Sequence, residues 1–474
     1  MQIYPQSKIK RDGTEYYLAR DSATLQKFLC IEGDHSGFQG EFSSDIYKCP
    51  LIAENAVTLR GRIPWLNPQP LGLATSFGLG DRLGVATPGH IAAIEGTGIA
   101  PIFAQQSVRE NARTGRNPQN VLDDAMWGIF EMGWLEPWGA DADHVKEIAD
   151  FSPFIEAGYS FYTIDPNEYV DNDAHEDSVE TLKEKVAQLP WNSLGISLES
   201  LFQLYGENPI QIDGITLEFQ EEIILRAAVK YGWAIAHIKM LSDYLVQHVD
   251  KFDLEASVDE TDTPTTIQEH YFIANELRRL GVPFVSLAPR FIGRFEKGVD
   301  YIGDRAVFDR ELERHVAVMN TIGGYKLSIH TGSDKFSIYP SIAEQASNLV
   351  HVKTAGTSYL ECLRVIAVVD HTFFREILNF ARSRYETDRA SYHVSGELEK
   401  VPPAEDLDDG QLLDLFDQFD ARQVLHVTFG SVLDDYKPRL MDTLTTNLDL
   451  YKQFLQKHFK HHLEAFVENR TANI

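Results

Sequence analysis

The sequence predicts an α/β protein built around a (β/α)8 TIM barrel. Three observations favour this fold: the chain has 474 residues, short apolar runs alternate with longer segments of helical spacing, and polar residues follow the ends of those runs. Alternating strands and helices imply parallel pairing, and eight such units favour a closed barrel over an open sheet. We expect the barrel to occupy residues 71–356.

The predicted strands begin near residue 72 and are rich in Val, Ile, Phe or Ser. In chain order, the eight runs are LATSFGLGD, APIFAQQS, LEPWGADADH, GYSFYTIDP, FDLEASVDE, VPFVSLAPR, YKLSIHTGS and LVHVKTAG. Helix signals lie between them. In DTPTTIQEHYFIANELRRLG, Pro264 lies near the start, apolar residues recur at helical steps, and Gly281 ends the pattern.

Three further segments complete the predicted organisation. Residues 1–70 form a small N-terminal mixed α/β segment that precedes the barrel. Residues from about 166 to 252 form an acidic, largely helical insertion, and residues 357–474 form a helical C-terminal extension.

The charge balance bears on the partners of this protein. Lys and Arg number 43 and Asp and Glu number 71, which gives a formal net charge of −28. Such a surface repels phosphate backbones and anionic lipids, so we expect a small-molecule ligand and neither nucleic-acid nor membrane binding. Self-association into a homo-oligomer stays open.

The N-terminus and the cysteines indicate the compartment. The segment MQIYPQSKIKRDG has no apolar core of a signal peptide, and no apolar run reaches the length of a membrane span. Cys30, Cys49 and Cys362 are far apart and odd in number, which argues against a disulfide scaffold. We therefore expect a cytoplasmic protein.

Polar side chains accumulate where the predicted strands end, which is where TIM barrels carry catalytic groups. These residues are Asp81, Arg82, Gln105, Gln106, Asp143, His144, Asp165, Asp259, Glu260, Arg290, His330 and Lys353. Helix capping is an equally good explanation for Asp165, as it is for Asp262. It does not explain the histidines, arginines and lysines.

Two histidines at strand ends predict a metal site. His144 and His330 would supply neutral nitrogen ligands, and Glu260, Asp259 or Asp165 could supply a third, oxygen ligand. This mixed donor set suits Zn, Mn, Fe, Co or Ni. The motif KHFKHH, with His458, His461 and His462, is instead predicted to be a solvated face of a polar helix.

Basic residues at the strand ends predict an anionic substrate, because arginine pairs well with a carboxylate or phosphate. The cations at or just after these ends are Arg82, Arg109, Arg290, Lys335 and Lys353. Ordinary ion pairs with nearby acidic residues are the alternative. We predict that the substrate is bound by Asp81, Arg82, Gln106, Arg290, Lys335 and Lys353. The glycines of SFGLGDRLG miss the dinucleotide-binding spacing, so a nucleotide cofactor is unsupported.

Several strings resemble known families. GADADHVK, FIEAGYSFYTIDP and LSIHTGSDK resemble segments of the class II, metal-dependent ketose-bisphosphate aldolases. More specifically, SFGLGDRLGVATPGH, PIFAQQSVRENARTGR, SVDETDTPT, RFIGRFEKGVDYIGD, HVKTAGTSYLE and RQVLHVTFGSVL resemble the tagaturonate epimerase family. The aldolase pattern would place a histidine where this chain has Arg290, so the third metal ligand is not transferred.

The resemblance implies a divalent-metal-dependent epimerase that interconverts D-tagaturonate and D-fructuronate. With the ketone as carbon 2, the inverted centre is carbon 4, whose hydrogen is not α to the ketone, so simple enolisation cannot invert it. We therefore expect retro-aldol cleavage between carbons 3 and 4 and recombination on the other face, with Asp143 and Glu260 exchanging protons. The alternatives are a true class II aldolase and a non-catalytic barrel subunit.

Overall fold

The computed structural model of the chain describes residues 1–354 and 356–472. It begins with an antiparallel sheet of strand order β1-β3-β4-β6-β5, in which β2 also pairs with β3. The strands are β1 (Gln2–Ile3), β2 (Ile9–Arg11), β3 (Thr14–Arg20), β4 (Lys27–Glu32), β5 (Glu41–Ser43) and β6 (Ile46–Pro50). Helix α1 (Ala53–Arg62) follows the sheet and leads to the barrel.

A closed parallel barrel of eight strands forms the centre of the molecule. Its first four strands are β7 (Ser76–Gly78), β8 (Ala100–Ser107), β9 (Gly139–Val145) and β10 (Phe161–Ile164). A separate hairpin of β11 (Ile210–Ile212) and β12 (Ile215–Leu217) interrupts them. The last four are β13 (Asp253–Val258), β14 (Phe284–Pro289), β15 (Lys326–Ile329) and β16 (Val350–Lys353). Strand β16 pairs with β7, which closes the barrel and confirms all eight predicted strands.

Helices cover the outside of the barrel. Those up to β16 are α2 (Thr87–Ile94), α3 (Val108–Thr114), α4 (Pro118–Met132), α5 (Ile148–Ala157), α6 (Val179–Val186), α7 (Trp191–Leu194), α8 (Leu198–Gly206), α9 (Glu221–His248), α10 (Ile267–Arg279), α11 (Arg305–Ile322) and α12 (Tyr339–Gln345). Helix α10 begins at the predicted place because Thr266 and Glu269 form a capping box. The hairpin and α6–α8 lie within the predicted insertion, and α9 leads back to β13.

The C-terminal region is helical, as predicted. Its helices are α13 (Thr357–Val369), α14 (His371–Asp388), α15 (Gln411–Asp414), α16 (Phe419–Val427), α17 (Phe429–Thr446) and α18 (Leu448–Ala472). Helix α18 packs against α2, α12 and α13, so the extension is attached to the barrel wall. In the described part of the chain, no helix is long and apolar enough to cross a membrane.

The interior of the barrel is polar, whereas branched apolar residues dominate most TIM-barrel interiors. At its lower end, the Lys326 ammonium donates to Ser76 Oγ (2.9 Å) and to the Ala74 carbonyl (3.0 Å). Ser76 Oγ also lies 2.9 Å from His351 Nδ1. These buried groups form the floor beneath a larger polar network at the C-terminal ends of the strands.

Candidate active site

A cavity of about 490 Å³ opens at the C-terminal ends of the barrel strands. Its walls come from the ends of β8, β9, β13, β15 and β16, from the loop after β14, and from helix α16. This is the end of a TIM barrel at which active sites form.

Three side chains in this cavity could hold a metal ion. His144, Asp259 and His330 each offer one ligand atom, and these atoms lie within 4.8 Å of one another. Asp259 Oδ1 is 3.0 Å from His330 Nδ1 and 3.9 Å from His144 Nε2. His330 Nδ1 is buried, and the Asp259 carboxylate is the group that faces it, so the nitrogen and the oxygen are placed to share a cation. The three residues therefore fit a divalent cation, and of the three oxygen donors considered from the sequence it is Asp259 that lies beside both histidines.

Each histidine is oriented by a second carboxylate. His144 Nδ1 lies 2.8 Å from Asp143 Oδ1, and His330 Nε2 lies 2.6 Å from Glu255 Oε1. Such carboxylates fix the ring and leave the opposite nitrogen free for a metal. Nε2 of His144 and Nδ1 of His330 both face Asp259 for this reason.

An irregular backbone brings both Asp143 and His144 into the cavity. Side chains of a regular strand alternate between its two faces, so neighbours would point to opposite sides. His144 instead has a φ of 58°, and the pairing of β9 with β10 shifts register at this point. A non-glycine residue in this left-handed region is uncommon and often marks a functional site.

His144, Asp259 and His330 are called the metal-type triad below. Beneath this triad, Lys353 is surrounded by carboxylates. Its Nζ lies 2.6 Å from Asp143 Oδ1, 2.8 Å from Asp141 Oδ2 and 3.0 Å from Glu255 Oε1. The Thr163 hydroxyl, which contacts the same ammonium at 2.6 Å, donates to Asp141. Lys353 also lines the cavity, and its role in substrate binding stays a prediction.

These contacts set the protonation of the site. Burial alone would raise the pKa of Asp143, but Lys353 and His144 hold it well below its usual value. Burial would lower the pKa of His144, yet Asp143 and Asp259 raise it to about 10. The pKa of Asp141 is raised to about 7, chiefly by burial, although Lys353 opposes the shift. Asp143 is therefore the ionised member of this pair.

The mouth of the cavity carries further acidic residues. Glu260 is exposed and lines the mouth, as does the buried Asp165. Lys146 Nζ lies 3.5 Å from Asp165 and 3.6 Å from Glu168. Asp165 Oδ1 also accepts from the backbone N–H of Asn167, a local turn contact, whereas Pro166 is the N-cap of the short helix that follows.

Five of the predicted substrate-binding residues lie outside the lining found in the described chain: Asp81, Arg82, Gln106, Arg290 and Lys335. Asp81 accepts from the backbone N–H groups of Leu83, Gly84 and Ala86. The buried Arg82 donates to Glu110 at 2.6 Å and stacks on Phe429 at 3.6 Å.

The other three have different surroundings. Gln106 is buried, and its side-chain nitrogen and oxygen lack hydrogen-bond partners in the described chain. Lys335 donates to the backbone carbonyls of Glu296 and Ser333, both at 2.9 Å. Arg290 donates its backbone N–H to Thr265 Oγ1 at 3.0 Å. The role of these residues in substrate binding stays a prediction.

Sequence reasoning missed several residues of the site. Asp141 and Glu255 point into the barrel, and Lys297 lines the cavity. Gln105, which the sequence placed at a strand end, and His426 line it as well. A signal for the first two was present, because GADAD and DLEAS place charged residues at every second position of a strand. Lys297 lies in a loop without such a pattern.

The predicted solvated face on helix α18 is wrong for two of its three histidines. His462 is fully buried: its Nε2 accepts the backbone N–H of Asp334 at 2.9 Å, and its Nδ1 lies 2.9 Å from the carbonyl of His458. His458 lies 3.5 Å from Glu361, with its side chain only 10% exposed. His461 is exposed as predicted. Asp334, His458 and His462 lie close enough to ligate a metal, but both nitrogens of His462 already have partners.

Fold and site together define a TIM-barrel enzyme with a histidine and carboxylate centre suited to a divalent cation. The chain belongs to the tagaturonate epimerase (UxaE) family, whose profile matches residues 4–466. It is 42% identical over 472 residues to the tagaturonate/fructuronate epimerase of Thermotoga maritima, covering 98% of this chain and 96% of that relative. The resemblance found in the sequence is thereby confirmed.

Solved structures agree with this assignment. The native crystal structure of fructuronate-tagaturonate epimerase from Cohnella laeviribosi matches with a TM-score of 0.93 and 35% identity, over 98% of this chain and 96% of that one. A crystal structure of the same protein complexed with glycerol matches equally well. The whole architecture, including the N-terminal sheet and the C-terminal helices, is thus shared with those structures.

Proposed function

We propose that this enzyme interconverts D-tagaturonate and D-fructuronate by inverting carbon 4. The observation that carries the proposal is the placement of His144, Asp259 and His330 beside the ionised Asp143 in one cavity. Full-length similarity to an epimerase named for these two substrates supports it over the aldolase and the non-catalytic subunit.

His144, Asp259 and His330 would hold a divalent cation. When bound, such an ion polarises a carbonyl and stabilises negative charge that develops on the substrate's oxygen atoms. Two nitrogens and one carboxylate oxygen suit Zn, Mn, Fe, Co or Ni. Asp143 and Glu255 would keep the two imidazole rings oriented for it.

The protein's own residues would move the protons. Asp143 is ionised, so it can accept the proton of the carbon-4 hydroxyl as the bond between carbons 3 and 4 breaks. Gln105 Nε2 donates to Asp143 Oδ2 at 3.1 Å and Lys353 contacts its Oδ1, which fixes the carboxylate in place. After the new aldehyde has turned, Glu260 at the mouth would exchange the proton on the opposite face.

NMR spectroscopy of the purified protein with tagaturonate, with and without chelator, tests this function. We expect fructuronate to form, activity to fall with chelator, and no deuterium to enter carbon 4 in heavy water, because that hydrogen never leaves carbon in a retro-aldol route. Deuterium entering carbon 4 at the rate of turnover would contradict this mechanism.

Two other outcomes favour the alternatives. Stoichiometric free aldehyde would identify an aldolase, and a metal-free protein without turnover would identify a non-catalytic subunit. The cytoplasmic location and the homo-oligomer stay predictions.

A further inference from the structure

Four lysine and arginine residues of the described chain line the cavity, and they differ in their partners: Arg109, Lys146, Lys297 and Lys353. Lys353 pairs with three carboxylates, and Lys146 pairs with Asp165 and Glu168. Within the described chain, neither Lys297 nor Arg109 has a carboxylate oxygen within 4.0 Å. In the part of the chain that the structure describes, these are therefore the lysine and the arginine of the cavity that have no carboxylate partner.

Among the described residues, the acidic groups that act on Lys297 are already paired with other side chains. The carboxylate that most influences it, Glu110, already accepts from Arg82 at 2.6 Å. Burial lowers the pKa of Lys297, and Arg109 adds a second positive charge to the same corner. Arg109 lies over the ring of Tyr392, 5.4 Å from its centroid. Two neighbouring cations in a protein of net charge −28 require an explanation, and an anionic ligand provides one.

The loop that carries Lys297 packs closely against helix α16 at the next residue, Gly298. Gly298 has a φ of 73°, and a Cβ atom there would lie 3.2 Å from His426 Nδ1. Glycine therefore lets the loop lie directly against helix α16, which forms the wall at this point. The position of Lys297 is thus set by the C-terminal extension as well as by the barrel.

We propose that Lys297, assisted by Arg109 at the mouth, binds the carboxylate of the sugar acid and retains the aldehyde half of the substrate between cleavage and recombination. This inference rests on the proposed function. It replaces none of the groups proposed to bind metal or move protons. It adds a second point of attachment in the same cavity.

The reaction explains why a second attachment is needed. When the carbon-4 hydroxyl loses its proton, the electron pair of the bond between carbons 3 and 4 moves to the three-carbon half, which becomes an enediolate. The other half is then a free molecule, 2-hydroxy-3-oxopropanoate, with one aldehyde and one carboxylate. Rotation about the bond between carbons 4 and 5 presents the other aldehyde face while the carboxylate stays bound. An aldolase releases this half, but an epimerase must hold it.

The test compares Lys297→Met with wild type on a substrate labelled with ¹³C at carbon 4, in which epimer and free aldehyde give separate NMR signals. We expect kcat/KM to fall about 10- to 100-fold, the loss typical of one charged hydrogen bond. We also expect the ratio of released aldehyde to epimer to rise. Lys297→Arg should keep most of the activity, and metal content should be unchanged.

Two controls separate this role from a structural one. Lys251→Met is the same substitution at an exposed lysine just before β13, at the opposite end of the barrel, and should change neither quantity. The neutral ketose, with a hydroxymethyl group in place of the carboxylate, should be turned over equally by wild type and Lys297→Met. If Lys297→Met does not fold, the same measurements are made on Arg109→Gln.

The outcomes distinguish the two proposals. If wild type does not interconvert the hexuronates, the proposed function itself fails. If wild type is active and Lys297→Met changes neither kcat/KM nor aldehyde release, only the role of Lys297 is wrong. An equal loss of kcat/KM on the uronate and on the neutral ketose would also overturn the role of Lys297, because a residue that binds the carboxylate must discriminate between the two substrates.

Discussion

Replacing Lys353 by methionine should destabilise the barrel from the inside. The ammonium lies within 3.0 Å of carboxylate oxygens of Asp141, Asp143 and Glu255, and all of these side chains are buried. Methionine fills a similar volume without a charge. The substitution therefore leaves three acidic groups together in a region of low dielectric constant.

The size of the effect follows from these contacts. Breaking a buried ion pair by removing one partner costs roughly 3–5 kcal/mol, a large part of the roughly 5–15 kcal/mol by which folded proteins are stable. Adding Asp141→Asn should restore part of the loss at pH 8, because it removes one of the three acidic groups that Lys353 no longer compensates. Lys326→Met offers a buried control, since the neutral partners of Lys326 are Ser76 and Ala74. Lys326→Met should therefore lower the free energy of unfolding by less than Lys353→Met does.

The loss should also depend on pH. The pKa of Asp141 is raised by burial to about 7 in the folded protein, against 3.8 ordinarily, so its contribution to stability falls as pH rises from about 4 to 7. Lys353 opposes that rise, and it also holds the pKa values of Asp143 and Glu255 low. Without it, all three carboxyl groups favour protonation. The deficit in the free energy of unfolding should therefore be larger at pH 8 than at pH 5.

Urea unfolding followed by circular dichroism measures these differences. It should be run on wild type, Lys353→Met, Lys326→Met and the double variant with Asp141→Asn, at both pH values. A Lys353→Met protein as stable as wild type at pH 8 would refute the reasoning. So would a double variant that is less stable than the single one, because the carboxylates would then not be the source of the cost.

Three further predictions concern catalysis. His144→Ala and His330→Ala should each lose metal and activity while circular dichroism stays unchanged; full metal occupancy in both would show that neither is a ligand. Asp143→Asn and Glu260→Gln should each lower kcat by roughly 10²- to 10⁴-fold with metal retained, and loss of metal in Asp143→Asn would move the acid-base role elsewhere. Arg290 lies outside the cavity lining found in the described chain, so Arg290→Ala should change KM for the uronate and for the neutral ketose equally; a larger rise for the uronate would instead support the sequence-based expectation that Arg290 binds the carboxylate.

The fold was predictable from sequence because each barrel strand is a short apolar run bounded by turn residues. The two histidines could also be predicted, since both His144 and His330 stand where an apolar run meets a polar turn. Their position at the end of a strand was enough to predict that they lie in the site. The sequence could not choose among three carboxylates for the third ligand. Asp259 follows β13 and His330 follows β15, and the two meet only because β14 alone separates these strands in the barrel.

The rest of the site depends on long-range contacts that the sequence does not encode locally. Asp141 and Glu255 were missed because charged residues inside a strand usually face solvent, whereas here Lys353, distant in the chain, neutralises them. His458 and His462 were assigned to solvent because helix α18 is polar, yet that face packs against the loop at Asp334. Each error reflects a partner at least 98 residues away in the chain.

The position of His426 in the cavity wall has a consequence for how the protein is made. The ligand groups all lie between residues 144 and 330, but the wall behind Gly298 comes from helix α16, near the end of the chain. A ribosome therefore releases every ligand of the metal-type triad before it releases the wall that encloses them. A nascent barrel ending before residue 419 could close its eight strands and still have an incomplete pocket, so we expect activity to begin only when the last helices have folded onto it.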